Sequence, residues 1–91
     1  MTEVHDNPAR HRFEMVEHGQ TVFADYRRDG SRVIIDHVEA PVSLRGTGAA
    51  GRFMEGLVAA ARAEGSTVVP ICSYAVAWLR RHRALAADVL E

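Results

Sequence analysis

Between Arg10 and Glu39 the chain alternates apolar and polar residues in three runs broken by turn signals. In the first, Arg10 to Glu17, Phe13 and Met15 alternate with charged residues, the period of a strand with one buried face. His18-Gly19 reads as a tight turn. The second run, Thr21 to Arg28, is rich in β-formers such as Val22, Phe23 and Tyr26. Asp29-Gly30 is a strong hairpin signal. The third, Arg32 to Glu39, contains the unbroken apolar stretch Val33-Ile34-Ile35, which predicts a central strand covered on both faces. Turns this short predict an antiparallel meander.

After a connector containing Pro41 the period changes. Ala50, Phe53, Met54, Leu57, Val58 and Ala61 follow helical spacing, with Arg52, Glu55 and Arg62 on the opposite face and Gly65 as C-terminal cap. Thr67 to Ile71 is a short β-branched strand. Ser73 is placed to cap a second helix, which carries Ala75, Trp78, Leu79 and His82 on one stripe. Leu85 to Leu90 continues or follows it. The order strand, strand, strand, helix, strand, helix predicts an α+β fold with one crossover. Residues 1–9 read as a loose, flexible tail and 10–91 as a single domain.

Composition narrows the function. Apolar residues are 47 % of the 91, enough for a real core in one small domain. A net charge of −1 argues against a general nucleic-acid or membrane-surface binder. The single cysteine, Cys72, excludes an internal disulfide and fits a reducing, cytoplasmic setting. The polar N-terminus lacks the apolar core of a signal peptide, and no run approaches the roughly 20 apolar residues of a membrane helix. The five histidines show no metal-ligand spacing, so no metal is expected.

The segment Leu44-Arg45-Gly46-Thr47-Gly48-Ala49-Ala50-Gly51 carries the clearest chemistry. It follows a strand and opens a helix, where unpaired amides and the positive end of the dipole attract an anion. Glycines and alanines let a phosphate approach closely, and Arg45 adds a fork of donors. Gly46, Gly48 and Gly51 satisfy the dinucleotide fingerprint G-x-G-x-x-G, but that reading fails. The glycines stand too far from the strand end, and the next strand ends in Pro70-Ile71-Cys72 with no acid for a ribose. The chain is also too short for a doubly wound sheet. A P-loop needs Gly-Lys-Ser/Thr, which is absent from the sequence. Arginine, two spacers, glycine, one spacer, then glycine or alanine fits fully at Arg45, Gly48 and Ala50. An ordinary glycine-rich helix start is the plainer alternative.

This pattern resembles the coenzyme A pyrophosphate loop of GNAT-fold N-acetyltransferases. Asp36-His37-Val38-Glu39-Ala40-Pro41 through Gly48, and Val69-Pro70-Ile71-Cys72-Ser73-Tyr74 followed by Trp78 to His82, resemble the small single-domain branch of that superfamily. Val38, where threonine is commoner, and Ala49, where a larger aliphatic is commoner, depart from it. The resemblance covers about residues 10–90. It implies a compact GNAT-like fold that binds acetyl-CoA where the third and fourth strands splay. Pantetheine would bond to the backbone near Val38, Glu39 and Ala40. The pyrophosphate would sit on amides from Arg45 through Gly46, Thr47, Gly48 and Ala49 to Ala50. The thioester would point toward Cys72. With only His18-Gly19-Gln20 joining the first two strands, the acceptor side should be open, which suits a protein, peptide or flexible amine. A monomer or weak homodimer is expected.

Acetyl transfer needs mainly positioning, a base for the amine and a donor to the thioester. Cys72, just before a helix whose positive end stabilises negative charge on sulfur, could accept the acetyl group in a two-step route or could simply pack beside the cofactor. His37 and Glu39 share one strand face. Either could be the base, or both could be structural. Ser73 and Tyr74 could donate to the departing thiolate, although Tyr74 could equally be a core aromatic. Arg81, in the run Arg80-Arg81-His82-Arg83, could meet the adenosine phosphate or merely solvate a helix end. The competing function class is a non-catalytic module that binds coenzyme A or an acyl form of it.

Overall fold

The computed structural model describes residues 3–91. Its sheet has five strands in the order β1 (His5–Asn7), β2 (Arg12–Glu17), β3 (Gln20–Asp29), β4 (Arg32–Glu39) and β5 (Thr67–Pro70). The first four are antiparallel neighbours, and β5 runs parallel to β4. Helix α1 (Ala49–Glu64) makes the crossover between β4 and β5. Helix α2 (Ser73–Arg81) and the single turn α3 (Arg83–Ala86) follow.

The turns form where the chain can adopt positive φ. His18 and Gly19 both do so, at 51° and 72°, the backbone of a two-residue hairpin that matches strand twist. Gly30 turns the next hairpin at 61°. Gly65 ends α1 in the left-handed conformation, its amide donating back to the last turn.

Every buried sheet residue lies on one face: Phe13, Met15, Val22, Ala24, Tyr26, Val33, Ile35 and Val68. Against them pack Phe53, Met54, Leu57, Val58 and Ala61 of α1 and Ala75, Trp78 and Leu79 of α2. The helical spacing seen in the sequence is the spacing of this buried face. Removal of that apolar area from water holds the domain together.

Three sequence expectations need correction. Residues 5–7 are an edge strand rather than a loose tail. His5 pairs with Glu14 and Asn7 with Arg12 in the sheet, and Tyr26 donates to Asp6 at 2.5 Å. The polar strand is held by hydrogen bonds, so it carries no apolar alternation to read. The central strand is covered on one face, not two. Ile34 is half-buried on the side bearing Arg12, Glu14, Phe23 and Asp25. The cap of α2 is Cys72, whose sulfur accepts the Ala75 amide at 3.3 Å, and Ser73 is the first helical residue. Of the two readings of the C-terminal segment, the structure has the one in which it follows α2: that helix stops at Arg81, and after α3 the chain adds a parallel bridge from Leu90 to Val68. No helix among the described residues is long and apolar enough to cross a membrane.

Candidate acetyl-CoA site

Strands β4 and β5 stay paired only as far as Ile35 and Pro70. There β5 turns away, with the amides of both Ile71 and Cys72 donating to the Ile35 carbonyl. β4 continues alone on that side to Glu39. Between the diverging chains opens a cleft of about 290 Å³, lined by His37, Val38, Glu39, Ala40, Arg45, Ala50 and Tyr74. A contiguous hollow runs under the glycine loop and adds Leu44, Gly46, Gly48 and Gly51.

A bulge shapes this part of β4. Asp25 pairs with His37 but Tyr26 pairs with Ile35, so Asp36 is an extra residue. Its carboxylate takes two hydrogen bonds from Arg27, at 2.7 and 2.8 Å. These bonds hold its carboxyl below the usual range, only partly offset by burial. The bulge changes which side chains face inward. Val33 and Ile35 point into the core before it, and Val38 and Ala40 pack against the core after it. His37 and Glu39 therefore share the outer face, as period-two alternation requires, with Nε2 and Oε1 3.1 Å apart. Phe23 stands beside His37, ring centroids 6.5 Å apart.

The loop before α1 is built from left-handed glycines. Gly46 and Gly48 have φ of 82° and 86°. Leu44 anchors the loop in the core, and Thr47 bonds through its side chain to the Leu44 carbonyl and the Ala49 amide. Among the described residues, the amides of Gly46, Gly48, Ala50 and Gly51 have no acceptor. They line the hollow as four free donors at the positive end of a 16-residue helix. Arg45 is exposed beside them, its Nε 3.4 Å from the Ala40 carbonyl.

At the other wall stands Tyr74, on the first turn of α2 beside the Cys72 cap. Burial pushes its hydroxyl up, the Cys72 sulfur adds to the shift, and the Arg81 guanidinium opposes it. Arg81 is exposed and lines neither hollow. The remaining predicted residues come together around the two hollows, except Thr47 and Ala49, which bond to each other within the loop, Cys72, which caps α2 next to Tyr74, and Ser73, which opens α2 and lines neither hollow. Leu44 and Gly51 line the site without having been predicted as contacts. Their signal lay in the same glycine-rich run, one residue to either side. No group of three His, Cys, Asp or Glu that could hold a metal occurs among the described residues.

The family model for GCN5-related N-acetyltransferases matches residues 12–89. The chain belongs to that family. This GCN5-related N-acetyltransferase domain also resembles a GCN5-like protein from Staphylococcus aureus, solved in solution by NMR. The TM-score is 0.67 at 20 % identity, over 98 % of this chain and 87 % of that one, a likeness of fold. No curated protein matches the sequence.

Proposed function

We propose that this domain binds acetyl-CoA in the β4–β5 cleft and transfers its acetyl group to an amine. The observation that carries the reading is the set of free amides at Gly46, Gly48, Ala50 and Gly51, beside Arg45 and contiguous with a strand splay. A pyrophosphate supplies the acceptors that these donors lack. The unpaired edge of β4 at Val38 and Glu39, continued by Ala40 just beyond the strand, would take the pantetheine amides, as a further strand would.

The thioester brings an already activated acyl group, so the protein's contribution is placement and proton handling. The incoming nitrogen must lose a proton as it attacks. Glu39, 3.1 Å from His37, can hold that proton directly or through the imidazole. The Tyr74 hydroxyl keeps its proton and can donate to the departing sulfur. Cys72 offers an alternative route through an acetyl-cysteine. The outer face of the sheet around His37 and Glu39 is open, which favours an amine on a protein or peptide over an enclosed metabolite.

A second reading is a binding module without turnover. It is favoured by one observation: only His18 and Gly19 separate β2 from β3, so no helices there wall an acceptor site. Calorimetric titration with acetyl-CoA, with NADH as control ligand, tests the site shared by both readings. Selective binding of acetyl-CoA is expected. A folded protein that binds neither would reduce the loop to a helix start and overturn both. Acetylation of an amine-bearing peptide library then separates enzyme from module.

A further inference from the structure

The glycine loop is bracketed from outside by the β2–β3 hairpin. On one side of the loop, Ser43 donates to the Gln20 side-chain carbonyl at 2.5 Å. On the other, Arg52 in the first turns of α1 reaches the Glu17 carboxylate with two parallel bonds, Nε to Oε1 at 3.1 Å and Nη2 to Oε2 at 2.6 Å. Its remaining nitrogen, Nη1, donates to the Thr47 carbonyl at 3.2 Å, inside the loop. One guanidinium thus ties three things together: the hairpin end, the helix and the residue between the two left-handed glycines. Glu17 is well placed as the fixed end. Its side chain is only 12 % exposed, and the Arg52 bonds hold its carboxyl below the usual range against a smaller effect of burial.

We propose that Glu17 and Arg52 are positioning residues that preform the phosphate-binding loop, an inference resting on the acetyl-CoA reading above. A carbonyl turned toward the phosphate would repel it. Arg52 satisfies the Thr47 carbonyl, so the neighbouring amides of Gly46 and Gly48 are left to the ligand. A glycine-rich loop without this brace has many conformations to lose on binding, and bracing it in advance removes that cost from the affinity. Arg52 acts through the loop, and Glu17 acts through Arg52.

The test uses Glu17→Gln, Arg52→Met and the double variant in the full chain, with circular dichroism confirming the fold. Two readouts are taken. Backbone ¹⁵N order parameters over residues 46–50 of the free protein should fall in all three variants relative to the strands. The acetyl-CoA Kd should rise about tenfold in each single variant, with the double variant no worse than Arg52→Met, as for residues acting as one unit. S-acetylpantetheine, which lacks the pyrophosphate, should bind variants and wild type equally, whereas a general loss of structure would weaken both ligands. If Arg52→Met weakens binding while Glu17→Gln does not, Arg52 touches the ligand directly and the clamp is overturned. Unchanged order parameters and unchanged Kd in a wild type that binds acetyl-CoA would also overturn it. A wild type that binds no acetyl-CoA defeats the functional reading instead, and the order parameters still decide whether the clamp exists.

Discussion

Val4 packs over Gly56: a Cβ placed on Gly56 would collide with Cγ2 of Val4 and stand 3.0 Å from its Cβ. The N-terminal segment therefore crosses α1 where the helix has no side chain. Gly56→Ala adds helix propensity worth up to about 1 kcal/mol but forces a stiff β-branched residue to move. We expect the clash to win, with a net loss of about 1 kcal/mol and loss of hydrogen-exchange protection in β1. On a Val4→Ala background the same substitution should stabilise, because the obstructing methyl is gone. Chemical denaturation of the four proteins of the cycle checks the reversal of sign.

Cys72 combines two roles that substitutions can separate. Its sulfur caps α2 through the Ala75 amide, so Cys72→Ala should cost about 0.5–1 kcal/mol of stability. Cys72→Ser supplies a stronger cap and should be at least as stable as the wild type. Both should abolish any acetyl adduct seen by intact mass after incubation with acetyl-CoA. Both should leave acetyl-CoA affinity nearly unchanged. A serine variant that transfers acetyl at the wild-type rate would remove the cysteine from the mechanism.

The contrast between what could and could not be read from the sequence follows interaction range. His18-Gly19, Gly30 and Gly65 announce themselves because positive φ is a local demand. The α1 stripe is legible because a helix repeats its buried face within a few residues, and the phosphate loop because free amides need glycines and a helix start in one run. β1 was hidden because His5, Asp6 and Asn7 are held by partners on β2 and β3 rather than by burial. The extra residue of the bulge, Asp36, finds its partner Arg27 across the sheet rather than nearby in sequence, so alternation put His37 and Glu39 together without telling which face they take. Glu17 and Arg52 are 35 positions apart, and no local pattern links them.

Acid should weaken the junction between the sheet and the end of α1. Glu64 accepts from Arg28 at 2.6 Å and also from Ser66, and these bonds, Arg28 first, hold its carboxyl below the usual range despite burial. A depressed carboxyl contributes stability that is complete above its unfolded pKa, about 4.3, and is lost as pH falls through the lower folded value. Partial exposure limits the contribution of this pair to about 1 kcal/mol or less. Glu64→Gln should therefore lower stability at neutral pH and flatten the loss below about pH 4. Denaturation midpoints at neutral pH and near pH 3 check this. Parallel curves for the two proteins would show that the pair contributes nothing.

Gly46 and Gly48 look alike in the sequence but should respond differently to a side chain. Both have left-handed φ, so alanine strains the backbone at either position by about 1 kcal/mol. A Cβ on Gly46 meets nothing within 4 Å, so Gly46→Ala should carry only that strain. A Cβ on Gly48 would lie 3.1 Å from Nη1 of Arg52, the nitrogen that donates to the Thr47 carbonyl. Gly48→Ala should therefore push Arg52 off the loop as well as narrow the approach to the amides. We expect Gly48→Ala to raise the acetyl-CoA Kd by about tenfold or more, and Gly46→Ala by several-fold less, at similar stability. Titration calorimetry and thermal melts of the two variants side by side measure the difference. Equal losses of affinity would mean that backbone strain alone governs the loop and that contact with Arg52 at Gly48 is immaterial.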